Sequence, residues 1–181
     1  MVVSVNYRHT PEFPHPTQIH DAWDSFVWLS SHISEHGGDR DNVVVGGVSA
    51  GGGLAAAVAL QNLEARSSKL LEHATSGISI KGLVLCSPWL IHPEANPLNS
   101  KTLSSFEQNQ DAPILPWNQF SRYAALLGPE AKTDPYFNVG ITATDKLIGF
   151  PKTSFLIAGQ DLLRDEGFYF AEKLKHNGCV R

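Results

Sequence analysis

Cysteine is nearly absent: Cys86 and Cys179 are the only two in 181 residues. Two thiols offer no framework of spacings and read as free thiols in a reducing compartment. Asn-x-Ser/Thr acceptors are missing altogether, which fits a protein that is not secreted. Neither sign of charge accumulates. Fourteen Lys and Arg stand against 18 Asp and Glu, for a net charge of -4, with no long run of either. That balance gives no sign of a nucleic-acid or polybasic membrane surface. The N-terminus lacks a basic region followed by a long apolar one, since Met1 leads directly into Val2-Val3-Ser4-Val5. The expectation is a cytoplasmic protein without a signal peptide. Long hydrophobic runs are missing too, with one stretch to weigh. Val43 to Leu60 carries no charge over 18 residues, enough to raise the question of a membrane span. It contains Gly46, Gly47, Gly51, Gly52 and Gly53. Glycine at that density breaks a single long helix, so the stretch reads as strand, tight turn and helix, with no transmembrane segment.

What is present suits a soluble globular chain. Apolar residues make up 42% and charged residues 18%, and the length allows one domain with a sizeable core. Val2 to Tyr7 is β-branched and reads as a strand. Pro11, Pro14 and Pro16 make the next segment irregular. Ile19, Ala22, Trp23, Phe26, Val27, Leu29 and Ile33 mark one helix face over Thr17 to Ile33, with Gly37-Gly38 as its stop. Asn42 to Gly46 predicts a strand buried on both faces, and Ala50 to Ala65 an alanine-rich helix. Ile78 to Cys86 predicts a third strand. Pro116 to Leu127 predicts a helix with Pro116 at its first position. Thr153 to Ala158 predicts a fourth strand. Asp165 to Asn177 predicts a last helix, with Asp165 as N-cap and Gly178 after its end. Strands alternating with helices imply an α/β fold with a mostly parallel sheet and helices on both faces. The poorly periodic stretch at about 89–151 reads as a helical and loop cap inserted between strands of a single domain.

Gly47-Val48-Ser49-Ala50-Gly51 matches G-x-S-x-G between a buried strand and a helix, the context that gives the motif meaning. A sharp reversal there strains the serine backbone. Side chains two residues to either side would collide, so Gly47 and Gly51 form the elbow. Ser49 then projects above the carboxyl end of the sheet, where open α/β sheets place ligands. The Ala50 N–H, opening the helix, is the candidate oxyanion donor. A dinucleotide fingerprint fails for lack of glycine at Val48, and a phosphate loop for lack of Gly-Lys-Ser/Thr. The competing reading is a glycine-rich packing turn with an incidental serine. A serine nucleophile needs a base and an orienting carboxylate. In this order of elements the carboxylate follows a later strand, where Asp161 stands. Asp165 and Glu166 are nearby, but suit the helix cap and first turn better.

Three segments extend the pattern. Tyr7-Arg8-His9-Thr10-Pro11-Glu12-Phe13-Pro14-His15-Pro16, Gly46 to Gly52, and Asp161-Leu162-Leu163-Arg164-Asp165-Glu166-Gly167 occur in that order. Together they resemble the Y-R-L-A-P-E-x-P-x-P, G-D-S-A-G-G and D-P-L-R-D-E-G segments of the hormone-sensitive-lipase-like carboxylesterase family. Val48 stands where that family has Asp, and Leu162 where it has Pro. The resemblance implies an α/β-hydrolase fold and hydrolysis of small-molecule carboxylic esters through an acyl-enzyme on Ser49. Asp161 would be the triad acid, and no metal or organic cofactor is implied.

The family's His-Gly-Gly-Gly loop precedes the Tyr-Arg segment, and its catalytic histidine follows the triad acid by roughly 30 residues. Neither pattern occurs in this sequence. The expectation is therefore a partial α/β-hydrolase domain, truncated at both ends and impaired as an enzyme, with no catalytic histidine of its own. His92, after a strand's carboxyl end, is the nearest internal substitute. His9, His15, His20, His32, His36, His73 and His176 read as solvated or packing residues. Two alternatives stand beside the esterase: a non-catalytic relative that binds a small molecule, as plant gibberellin receptors do, and a non-functional gene fragment.

Overall fold

The computed structural model describes residues 1–67, 78–98 and 104–179. Five α-helices lie within them: α1 (Thr17–His32), α2 (Ala50–Ser67), α3 (Ser105–Gln108), α4 (Trp117–Leu127) and α5 (Arg164–His176). Three strands, β1 (Val43–Val48), β2 (Ile80–Cys86) and β3 (Lys152–Leu156), form one parallel sheet in the order β1-β2-β3. Val45 pairs with Leu83, and Leu85 with Phe155. The fold is α/β, a parallel sheet with packed helices. Parallel neighbours need a crossover, and α2 supplies the one from β1 to β2. The uncharged run Val43 to Leu60 thus divides into β1 and the first half of α2. Among the described residues no helix is long and apolar enough to cross a membrane.

The main core lies between one sheet face and α2 and α5. Ala55 to Leu60 of α2 meet Leu83 and Leu85 of β2, and Phe170 and Leu174 of α5 close the same cluster. Alanine suits the inner face of α2 because small side chains let a helix approach the sheet closely. At Gly53 even a methyl group is excluded, since a Cβ there would stand 2.2 Å from the Trp89 carbonyl oxygen. Helix α1 packs on α2, through the face that Ile19 and Phe26 bury.

Several sequence expectations need correction. Val2 to Tyr7 is not a strand: it pairs with no neighbour, and Val2 is 95% exposed. Its β-branched residues suit a pleated, half-buried surface, but none of the described strands lies beside it. Strand β1 was expected to be buried on both faces, yet Val44 and Val48 are 63% and 66% exposed, while Val43 and Val45 pack into the core with α1, α2 and α5. Pro116 is the N-cap of α4 rather than its first residue, with extended backbone that lets its carbonyl begin the helix. Helix α5 starts one residue early, so Leu163 is its N-cap and Asp165 lies inside the first turn. Gly178 follows α5 with φ +66°, as a C-terminal glycine should. The thiols of Cys86 and Cys179 remain free.

Between β2 and β3, residues 89–151 build α3, α4 and four short 3-10 helices: Pro93–Ala95, Pro129–Lys132, Val139–Ile141 and Thr144–Leu147. A second apolar cluster joins this segment to the start of α5, through Trp89, Phe120, Ala124, Leu162 and Leu163.

Candidate active site

Ser49 sits where β1 ends and α2 begins, with φ +54°. The left-handed region is costly for any residue with a side chain, so the surroundings must hold it. The Ser49 N–H donates to the Cys86 carbonyl at 2.9 Å, tying the turn to the end of β2. The Ser49 carbonyl accepts from the N–H groups of Gly52, Gly53 and Trp89 at 3.0, 3.1 and 3.0 Å. Ser87, at φ +39°, makes a second tight reversal beside it.

The two elbow glycines are not equivalent. A Cβ on Gly47 would lie 2.3 Å from both the carbon and the oxygen of the Gly51 carbonyl. A Cβ on Gly51 would meet nothing within 4 Å. The expected mutual collision is therefore one-sided: Gly47 must lack a side chain because the backbone of Gly51 folds over it, whereas Gly51 supplies only backbone. Ala50 is exposed at the start of α2, and no backbone acceptor among the described residues takes its N–H.

Asp161 follows β3 after a short turn, so Ser49 and Asp161 stand at the same, carboxyl end of the sheet with β2 between them. Two strand spacings separate β1 from β3, about 10 Å. Asp161 is held in place. Its Oδ1 accepts from the Leu163 N–H at 2.9 Å, and its carbonyl accepts from Asn109 Nδ2 at 2.9 Å. The alpha/beta hydrolase fold family's model matches residues 1–180.

The chain belongs to the alpha/beta hydrolase fold family.

Among the proteins it resembles, Probable carboxylesterase 7 of Arabidopsis thaliana is 32% identical across 98% of the chain and 54% of its own length. Esterase LipI of Mycobacterium tuberculosis is 33% identical across 98% of the chain and 51% of its own. The crystal structure of vibralactone cyclase superposes with a TM-score of 0.83 at 28% identity, over 97% of this chain and 50% of that one. The chain spans about half the length of the curated relatives it matches.

His15 and His92, the two buried histidines among the described residues of this α/β-hydrolase domain, have their hydrogen-bond partners elsewhere than at Ser49. No imidazole among the described residues hydrogen-bonds its Oγ, and His73 lies outside them. His92 is 1% exposed. Its Nδ1 accepts from the Glu94 N–H and caps a 3-10 turn, and burial pushes its pKa down. It is a neutral packing residue. His15 is also buried, with Nε2 2.8 Å from Asp134 Oδ2. Burial works against the Asp134 charge, but the His15 ring and the Tyr136 and Phe137 N–H groups outweigh it and hold the carboxyl below its usual range. A carboxyl with a lowered folded pKa stabilises the fold above the ordinary carboxylate range and loses that contribution as pH falls. Asp134→Asn should therefore cost about 1–2 kcal/mol at neutral pH, and the difference from wild type in urea midpoints should shrink in acid.

Glu166 lies in the first turn of α5, as expected, and it is 1% exposed. Its Oε1 accepts from the Leu90 N–H at 2.6 Å, and Asn96 Nδ2 donates to Oε2 at 3.4 Å. Burial, with a further push from Asp161, raises its pKa well above the carboxylate range against the backbone N–H groups of Leu90 and Ile91. Asp165, expected as the cap, instead accepts from the Ser105 N–H at 2.7 Å and pairs with Arg164 at 2.8 Å. Both acids pin the segment after β2 to α5.

Of the aromatic residues between Trp89 and Phe150, Trp89, Tyr136 and Phe137 border a small cavity beside Ala50. Phe120 and Phe150 are buried in the cores, and Tyr123 is exposed.

Proposed function

We propose that this chain carries the nucleophile half of a serine carboxylesterase, with a small carboxylic ester as substrate. Ser49 attacks the ester carbonyl carbon and forms the acyl-oxygen bond. The oxyanion develops against the Ala50 N–H and the N-terminus of α2. The alcohol leaves with a proton, and water then cleaves the acyl-enzyme to release the acid and regenerate the serine. Asp161 orients and charge-stabilises an imidazole in the gap between the ends of β1 and β3. Residues 89–151 form a cap over this edge and shape the acyl or alcohol pocket. The observation that carries the reading is the positive-φ serine, locked by four backbone hydrogen bonds at the end of β1.

A serine hydroxyl without a base is a weak nucleophile. Since no described histidine contacts Ser49, hydrolysis by this chain alone should fall several orders of magnitude below that of a complete triad. Imidazole added to the buffer should restore part of it. In p-nitrophenyl butyrate hydrolysis, after subtraction of the imidazole blank, wild type should exceed Ser49→Ala, and the gap should widen with imidazole. Equal rates in the two proteins at every imidazole concentration would count against Ser49 as nucleophile. The same lack of a neighbouring imidazole favours one other reading, a relative that binds a small molecule without turnover. That reading requires saturable binding unaffected by Ser49→Ala and no acyl-enzyme.

A further inference from the structure

The turn that carries Asp161 has little backbone bonding of its own. Outside helices and strands, residues 159–161 make one backbone–backbone hydrogen bond, from the Arg164 N–H to the Asp161 carbonyl at 3.3 Å. Such a turn samples other conformations unless further groups hold it. The holding groups come from α3 and its C-cap, 50 to 60 positions earlier in the chain. At the start of α3 the Ser105 hydroxyl donates to the Leu162 carbonyl at 2.6 Å, and the Ser105 N–H donates to Asp165 Oδ2 at 2.7 Å. At its end, Asn109 Nδ2 donates to the Asp161 carbonyl at 2.9 Å and lies 3.5 Å from the Gly159 carbonyl. Arg164 Nη1 joins the two segments, donating to Gln108 Oε1 at 3.0 Å and to the Gly159 carbonyl at 3.3 Å. Phe106 packs on the cluster that holds Leu162 and Leu163. This short helix therefore grips the turn on both sides of Asp161. The carboxylate spends one oxygen on its own turn, since Oδ1 accepts from the Leu163 N–H. No described residue hydrogen-bonds Oδ2, which leaves that oxygen for an outside donor.

We propose that Asn109 is a positioning residue for Asp161, through which α3 couples the 89–151 segment to the acid of the triad. Among the described residues, its side chain is the one that hydrogen-bonds the Asp161 backbone. Side-chain direction follows the backbone it springs from, so a held carbonyl aims the carboxylate. Asn109 acts only through that carboxylate. The proposal rests on the esterase reading, in which Asp161 orients an imidazole.

The first test needs no turnover. Amide hydrogen exchange would be followed by NMR on the full chain and on Asn109→Ala. The Leu163 N–H, bonded to Asp161 Oδ1, should exchange about tenfold faster in the variant. The Phe170 and Leu174 N–H groups of α5 should keep their rates. The second test is p-nitrophenyl butyrate hydrolysis with added imidazole, corrected for the imidazole blank. Asn109→Ala should lower the Ser49-dependent rate constant about tenfold with the ester KM unchanged, and should add nothing in an Asp161→Ala background. Unchanged exchange at Leu163, an unchanged rate, or an equal loss in the Asp161→Ala background would overturn the positioning role. If Asn109→Ala does not fold, Asn109→Asp, similar in size but without the donor, takes its place. Faster exchange at Leu163 with no Ser49-dependent hydrolysis in wild type supports the clamp and is a failure of the esterase reading alone. Unchanged exchange with Ser49 acylated is a failure of the clamp alone.

Discussion

Gly47→Ala should destabilise the chain by roughly 3 kcal/mol or more, while Gly51→Ala, in the same motif, should be neutral or gain about 0.5–1 kcal/mol. The reason is the one-sided contact at the elbow. A methyl on Gly47 would enter the Gly51 carbonyl at 2.3 Å, and that partner is backbone, unable to turn aside as a side chain would. A methyl on Gly51 would meet nothing within 4 Å, and alanine is the better helix former at the second residue of α2. Relief of the Gly47 clash would have to unwind the first turn of α2, which breaks the bonds from Gly52 and Gly53 to the Ser49 carbonyl. Urea midpoints of the two variants beside wild type check this. Similar losses in both would mean that the motif conserves space at each glycine equally, contrary to this geometry.

Glu166→Ala should have the second large effect, about 2–4 kcal/mol. It leaves the buried Leu90 N–H without its acceptor and opens a cavity at the base of α5. Glu166→Gln keeps an acceptor and the volume, and should cost about 1 kcal/mol. The pH dependence separates the two roles of this carboxyl. Its folded pKa lies above the ordinary one, so the folded chain holds the proton more tightly than the unfolded chain does. The group's contribution is therefore complete below the ordinary carboxylate range and declines as pH rises toward the folded pKa. Glu166→Gln should remove that decline, so wild type and variant converge as the pH is raised. A wild-type chain whose stability rises through that window, by a slope absent in Glu166→Gln, would contradict the burial argument.

How far these features could be read from sequence follows from how local each one is. Ser49 and Gly47 were legible because the elbow is a contact between residues four apart, written in consecutive letters. Helices α1, α2 and α5 were legible to within a residue or two at each end, because periodic burial and terminal glycines are local signals. Val2 to Tyr7 misled because β-branched composition states what a strand would fit, not whether a neighbour is there to pair with it. The long-range contacts of Asp165 and Glu166 were missed for the opposite reason. Both are acids at a helix start and look alike in sequence, and only contact with Ser105 and with Leu90, 76 positions before Glu166, distinguishes them. The His15–Asp134 pair spans 119 positions, and nothing in either local segment announces it.

The central claim, that Ser49 is the nucleophile, is tested most directly by finding the acyl group. The chain would be incubated with p-nitrophenyl butyrate and imidazole, quenched in acid, digested and mapped by mass spectrometry. Among the described residues no base hydrogen-bonds Ser49, so only imidazole from solution activates the water that cleaves the acyl-enzyme; deacylation should be slow and the acyl-enzyme should accumulate. The account predicts one butyryl group, on Ser49, absent from Ser49→Ala. Butyryl groups scattered over surface lysines and unchanged in Ser49→Ala, with none on Ser49, would contradict it.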